Sequence, residues 1–147
     1  MKTKLVAVLA IILVVMVAGA CARGAEANKD VNIIVPVEEF SSAKNIQKQV
    51  ELEKGAVLNI ILGSNPSTGF SWTETALVNN AAVINQTEHM YVEPGKTSVP
   101  VVGAAGHECW TFKALAAGTA KITVQYARPW EKDVPPEWTF ELTVTVK

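Results

Sequence analysis

From Val31 onward apolar and polar residues alternate with a period of two in a series of short runs. No long stretch carries the 3.6-residue repeat of an amphipathic helix. The clearest run is Glu137 to Val146. There Trp138, Phe140, Leu142, Val144 and Val146 oppose Glu137, Thr139, Glu141, Thr143 and Thr145. Ala120 to Tyr126 sets Ile122, Val124 and Tyr126 against Lys121, Thr123 and Gln125, and His107 to Ala114 sets Trp110, Phe112 and Ala114 against Cys109, Thr111 and Lys113. Lys48 to Glu53 alternates more briefly. Ala56 to Leu62 is almost continuously apolar, as a strand covered on both faces would be. Val31 to Val37 opens the series with β-branched residues and ends at Pro36, and Val83 to Val92 reads as a more polar strand. Ala43 to Glu53 also reads as a short helix, and Asn79 to Asn85 fits either state.

Seven to eight short strands punctuated by Gly and Pro predict an all-β fold, an immunoglobulin-like antiparallel β-sandwich. The Cys…Trp…Cys spacing of antibody domains is absent from the sequence. Three connections are longer or richer in chemistry than hairpin turns. Loop 1 is Gly63-Ser64-Asn65-Pro66-Ser67-Thr68-Gly69-Phe70. Loop 2 runs from Glu93 to Gly106 and ends Gly103-Ala104-Ala105-Gly106. Loop 3 runs from Ala127-Arg128-Pro129-Trp130 to Pro136. Each pair of these loops is separated by an even number of strands. In an up-and-down sandwich, that parity brings all three out at the same end.

The N-terminus changes the compositional picture. Met1-Lys2-Thr3-Lys4 followed by the apolar run Leu5 to Val17 has the layout of a secretory signal, so residues 1–20 are expected to be a signal peptide. Ala18-Gly19-Ala20-Cys21 fits ordinary signal cleavage and also resembles a bacterial lipobox, which would make Cys21 a lipidated first residue. A later cut at Ala25-x-Ala27 and an uncleaved anchor are the other readings. Residues 21–30 then read as a flexible leader and 31–147 as the functional domain. The chain is expected to be exported, either as a membrane-anchored lipoprotein or as a secreted or periplasmic protein. Without the first 20 residues the apolar share falls from 49% to about 44%, an ordinary globular value, and the net charge moves from −1 to about −3. No basic excess remains for nucleic acid or an anionic membrane, so any membrane contact is expected only through Cys21. Cys21 and Cys109 are the two cysteines, too few for a structural zinc site, and no cofactor is implied. With no obvious extra interface, a monomer is expected.

Loop 1 has the chemistry of a stiff turn. Asn65 can bond the backbone ahead of it, Pro66 fixes φ, Ser67 and Thr68 can brace the turn, and Gly69 permits positive φ or a close approach. Taken by itself, this loop reads by default as a plain tight turn. Trp130, between Pro129 and Glu131 in a charged, proline-rich loop, has no evident core to enter. Exposed Trp and Arg are enriched at binding hot spots, whereas the plainer reading folds Trp130 back as a lid.

Taken in order, the three loops resemble the chagasin family of cysteine peptidase inhibitors, whose pattern is Asn-Pro-Thr-Thr-Gly, then Gly-x-Gly-Gly, then Arg-Pro-Trp. Here these stand as Asn65-Pro66-Ser67-Thr68-Gly69, Gly103-Ala104-Ala105-Gly106 and Arg128-Pro129-Trp130. Ala116-Ala117-Gly118-Thr119, before the strand that ends in Tyr126, continues the likeness. Ser67 in place of Thr keeps the hydroxyl, while Ala105 stands where the family has Gly. The resemblance implies tight, reversible, non-covalent inhibition of papain-like cysteine peptidases. Asn65 to Gly69 would enter the catalytic cleft, with Phe70 among the binding residues beside them. Gly103 to Gly106 would pair with backbone on one side, and Arg128, Pro129 and Trp130 would grip the other.

Two other classes compete with this reading. An enzyme finds little support: the only histidines are His89 and His107, and there is no Gly-x-Ser-x-Gly or His-Glu-x-x-His. His107 and Cys109 share a strand face as a nominal Cys–His pair, but the plainer reading is ordinary outward-facing residues. An exported adhesion or carbohydrate-binding module using the same loops is the second rival, since fold alone does not select function.

Overall fold

A computed structural model describes residues 30–95 and 105–147. Two sheets face each other across one apolar core, as the alternation predicts. The first sheet contains β1 (Val31–Val35), β3 (Val57–Ser64), β7 (Gly106–Ala114) and β6 (Ile84–Val92), in the order β1-β3-β7-β6. The second contains β2 (Asn45–Leu52), β9 (Trp138–Val146), β8 (Gly118–Ala127) and the two-residue β4 (Ser71–Trp72), in the order β2-β9-β8-β4. Another two-residue strand, β5 (Leu77–Val78), also pairs with β8. Because β4 and β5 share β8 as a partner, they form one interrupted edge. The nine strands among the described residues therefore amount to about eight.

Alternate positions supply the core. Phe140, Leu142 and Val144 of β9, Ile122 and Val124 of β8, and Trp110 and Phe112 of β7 are all buried, while their neighbours in sequence face outward. On the apolar strand β3, Leu58, Ile60 and Leu62 are buried, but Val57, Asn59 and Ile61 are only half-buried. That strand is therefore fully covered on one face rather than two.

Two local features differ from the sequence reading. The antiparallel pattern is interrupted by two parallel pairings, β1 with β3 and β2 with β9. The short helix lies not within 43–53 but at α1 (Val37–Ser42), and 45–52 is strand. Both have one cause. Pro36 lacks the N–H needed to extend β1, and Glu38 and Glu39 suit the positive end of a helix, so the chain turns there. It then crosses to the other sheet over buried Phe40 instead of folding back as a hairpin. β1 consequently runs alongside β3, and β2 alongside β9.

Strand directions place α1 and the connections after β3, β6 and β8 at one end of the sandwich. β1 begins, and β9 ends, at the other. The signal segment 1–20 and the leader with Cys21 lie outside the described residues, apart from exposed Asp30.

Phe140 is fully buried near the start of β9 and should be costly to truncate. Phe140→Ala is expected to lower unfolding stability by about 3–5 kcal/mol in a urea titration, with an unchanged native strand signature by circular dichroism.

Candidate functional site

Loop 1 rises from β3 as a single 3-10 turn, Pro66–Thr68, closed by Gly69 at φ 80°. Asn65 organises it. Its carbonyl accepts from the Thr68 amide (3.2 Å) and the Thr68 hydroxyl (2.7 Å), while its side-chain Oδ1 accepts from Ser67 Oγ at 2.6 Å. The Gly69 amide donates to Pro66 at 2.9 Å. Pro66, Ser67 and Thr68 are exposed, so the turn presents a narrow ridge of small side chains and backbone.

Below the ridge, Tyr126 of β8 holds the same asparagine. Its hydroxyl accepts from the Asn65 amide at 3.0 Å and donates to the Asn65 carbonyl at 3.3 Å. The Trp72 indole donates to the carbonyl of Gly63 at 2.9 Å. Both roots of the loop also reach one buried carboxylate. Glu108, 4% exposed on β7, accepts at Oε1 from Ser64 Oγ (2.8 Å) and from the Trp72 amide (3.3 Å). His89 Nε2 donates to its other oxygen at 2.9 Å.

Loop 3 leans on loop 1. The Arg128 guanidinium lies 4.4 Å above the Phe70 ring and pairs with Glu131 at 3.1 Å. Phe70 in turn stacks on Tyr126 with centroids 5.6 Å apart. Trp130 covers Gly69, where an added Cβ would sit 2.7 Å from Trp130 Cη2, yet the indole remains 65% exposed. It therefore contacts the ridge without being withdrawn as a lid. Pro129 is exposed beside it.

Of loop 2, Gly103 and Ala104 lie outside the described residues. Ala105 is exposed, and Gly106 opens β7 opposite Ser64, at the root of loop 1. Gly106 is buried against Tyr91 and the Val92 carbonyl, leaving no room for a side chain. The described part of the second motif thus adjoins the first, and the first touches the third. Sequence reading overlooked Glu108, Tyr126 and His89 as parts of this assembly. The available signal was parity, since Glu108 falls on the inward face with Trp110 and Phe112.

His107 and Cys109 point outward from β7 and are half-buried. Burial pushes the Cys109 thiol above its ordinary range, the opposite of what activates a cysteine nucleophile.

The family model described as Chagasin family peptidase inhibitor I42 matches residues 51–144, more than half of the chain and a span that holds all three loops. Chagasin of Trypanosoma cruzi is 33% identical over 79 residues, covering 52% of this chain and 68% of that protein. Amoebiasin-2 of Entamoeba histolytica is 29% identical over 91 residues, covering 62% and 71%. Among solved structures, the cysteine protease inhibitor EhICP2 from Entamoeba histolytica superposes with a TM-score of 0.63 at 22% identity, over 81% of this chain and 98% of that one.

Two outcomes follow from the geometry. Gly69→Ala places a side chain at positive φ and against the Trp130 ring, so urea unfolding should show a loss of about 1–2 kcal/mol. In a Cys21→Ser chain, Cys109 should react with a disulfide reagent at pH 8 at least about threefold more slowly than a free thiol. The difference should shrink as pH rises and the thiolate forms.

Proposed function

This chain belongs to the chagasin family of peptidase inhibitors, and on that footing we propose that it blocks papain-like cysteine peptidases reversibly and without covalent chemistry. It is not an enzyme. The observation that carries the reading is the contact between loops 1 and 3. The exposed Pro66–Thr68 ridge and the exposed Trp130 indole stand side by side at one end of a rigid sandwich.

Loop 1 would enter the catalytic cleft and lie over the nucleophilic cysteine and its histidine. Its internal bonds through Asn65 leave little conformational freedom to lose on docking. The turn is too tightly closed to offer an extended peptide bond in attack geometry, so the ridge occludes without being cut. Gly103, Ala104 and exposed Ala105 would line one wall of the cleft with backbone, and buried Gly106 would anchor that loop on β7. Arg128, Pro129 and Trp130 would grip the other, the indole supplying a rigid apolar anchor. A cysteine peptidase, rather than another class, is supported by the family resemblance of all three motifs.

Two further proposals concern the whole chain. The inhibitor works as a monomer made of residues 31–147. It acts outside the cytoplasm, delivered by the 1–20 segment and held there, if Cys21 is lipidated, by that residue alone. Mass spectrometry of the N-terminal peptide from membranes distinguishes a diacylglyceryl-modified Cys21 from an unmodified end.

The direct test is to titrate papain with the purified chain under reducing conditions. Stoichiometric, fully reversible inhibition is expected in the nanomolar range. Trp130→Ala, with its fold intact, should raise Ki by about tenfold or more. A panel of papain-like peptidases that all remain active would refute the reading.

A further inference from the structure

Glu108 poses a problem that packing does not solve. A carboxylate is expensive to bury, and its position on β7, between Gly106 and Trp110, would be filled more cheaply by an apolar residue. Among the described residues, all of its side-chain hydrogen bonds go to the roots of loop 1 or to the histidine that braces it. Ser64 is the last residue before Asn65, and Trp72 follows Ser71 just beyond Phe70, so a single oxygen receives a donor from each root of loop 1. His89, packed at a tilt against Trp110 with ring centroids 5.0 Å apart, holds the other oxygen in place. Among the described residues no buried side-chain nitrogen or oxygen lacks a partner, so the cluster is closed.

We infer that Glu108 is the positioning residue of the inhibitory loop: it sets the separation and tilt of the two roots from which the Pro66–Thr68 ridge rises. The inference rests on the inhibitory reading of loop 1. The ridge is internally rigid, because Asn65 ties its residues together, and such a unit can still swing as a body if its roots are free. β4 is only two residues long and sits at a sheet edge, so its own ladder cannot fix the descending root. The Trp72 indole ties that root to Gly63, and the carboxylate adds a second constraint from the opposite sheet. Because Glu108 lies two residues after Gly106, it also sets loop 1 relative to the end of loop 2.

The test compares Glu108→Leu, Glu108→Gln and Ser64→Ala in the full chain, with papain Ki and amide hydrogen exchange both read. Glu108→Leu strands the Ser64 hydroxyl, the Trp72 amide and His89 without partners. It should raise Ki by about tenfold or more and speed exchange at Thr68, Gly69 and Trp72 by a similar factor, while Val144 in the core changes far less. Glu108→Gln keeps an acceptor for both roots and turns its amide N–H toward His89, which accepts it at Nε2 once the imidazole proton moves to Nδ1. Its Ki should therefore stay within about threefold of wild type. Ser64→Ala removes one root only and should fall between the two.

An unchanged Ki and unchanged loop exchange in a folded Glu108→Leu chain would overturn the inference. So would acceleration at Val144 equal to that at Gly69, which would mean general destabilisation. Should Glu108→Leu fail to fold, Ser64→Ala decides: faster exchange confined to the loop supports positioning, and exchange like wild type refutes it. If the wild-type chain does not inhibit papain, the inhibitory reading fails on its own account. The exchange comparison still decides whether Glu108 fixes the loop.

Discussion

The loops of this protein depend on a bed of aromatic rings at one end of the sandwich. Phe40 of α1, Trp72 of β4, Tyr126 of β8 and Trp138 of β9 pack with centroids 4.6 to 6.4 Å apart, and Trp110 of β7 meets Trp72 edge to face. Rings of this size lose few rotatable bonds when ordered and fill the space between sheets without leaving voids. The stack then continues outward through Phe70 to the guanidinium of Arg128. Loop 1, loop 3 and α1 therefore stand on the same platform. A displacement of one ring would be felt by all three.

The platform provides polar grip as well as bulk. Tyr126 faces the core with its ring and loop 1 with its hydroxyl, which both accepts from and donates to the backbone of Asn65. Trp72 uses its indole N–H on Gly63 and its main-chain N–H on Glu108. The amphipathic aromatics thus join the dry interior to the exposed rim, and the polar atoms satisfied there are those that would otherwise let the rim drift. Natural interfaces that dock without rearrangement are built on this kind of rigid support.

Much of the architecture was legible in the chain because strand burial repeats every two residues. The run from Trp138 to Val146 showed its inward face directly, and the parity of the strands between the loops put those loops at one end. What stayed hidden depended on contacts distant in sequence. Parallel pairing at β1 and β2 follows from a crossover of six helical residues, too short to show helical periodicity. The helix was instead sought a few residues downstream, where Asn45–Leu52 forms a strand because β9 offers it a partner. Glu108 stands at an inward position by parity, but a lone acidic residue there carries no sign of the groups that satisfy it. Its partners Ser64, Trp72 and His89 lie 19 to 44 positions away. The loop motifs were visible as residue types, but the seating of Trp130 on Gly69 required the folded backbone.

The direction of the first and last strands has a consequence for how the molecule can be handled. β1 starts and β9 finishes at the pole farthest from Pro66 and Trp130, so the first and last described strands open and close at the back of the sandwich. Whatever is joined at Val31 or after Lys147 acts as a handle at the pole opposite the tip formed by loops 1 and 3. A bead, a fused fluorophore or a second copy in tandem can be attached there without crowding the tip. The protein is geometrically suited to display on a support, with loops 1 and 3 facing away from the surface that carries it.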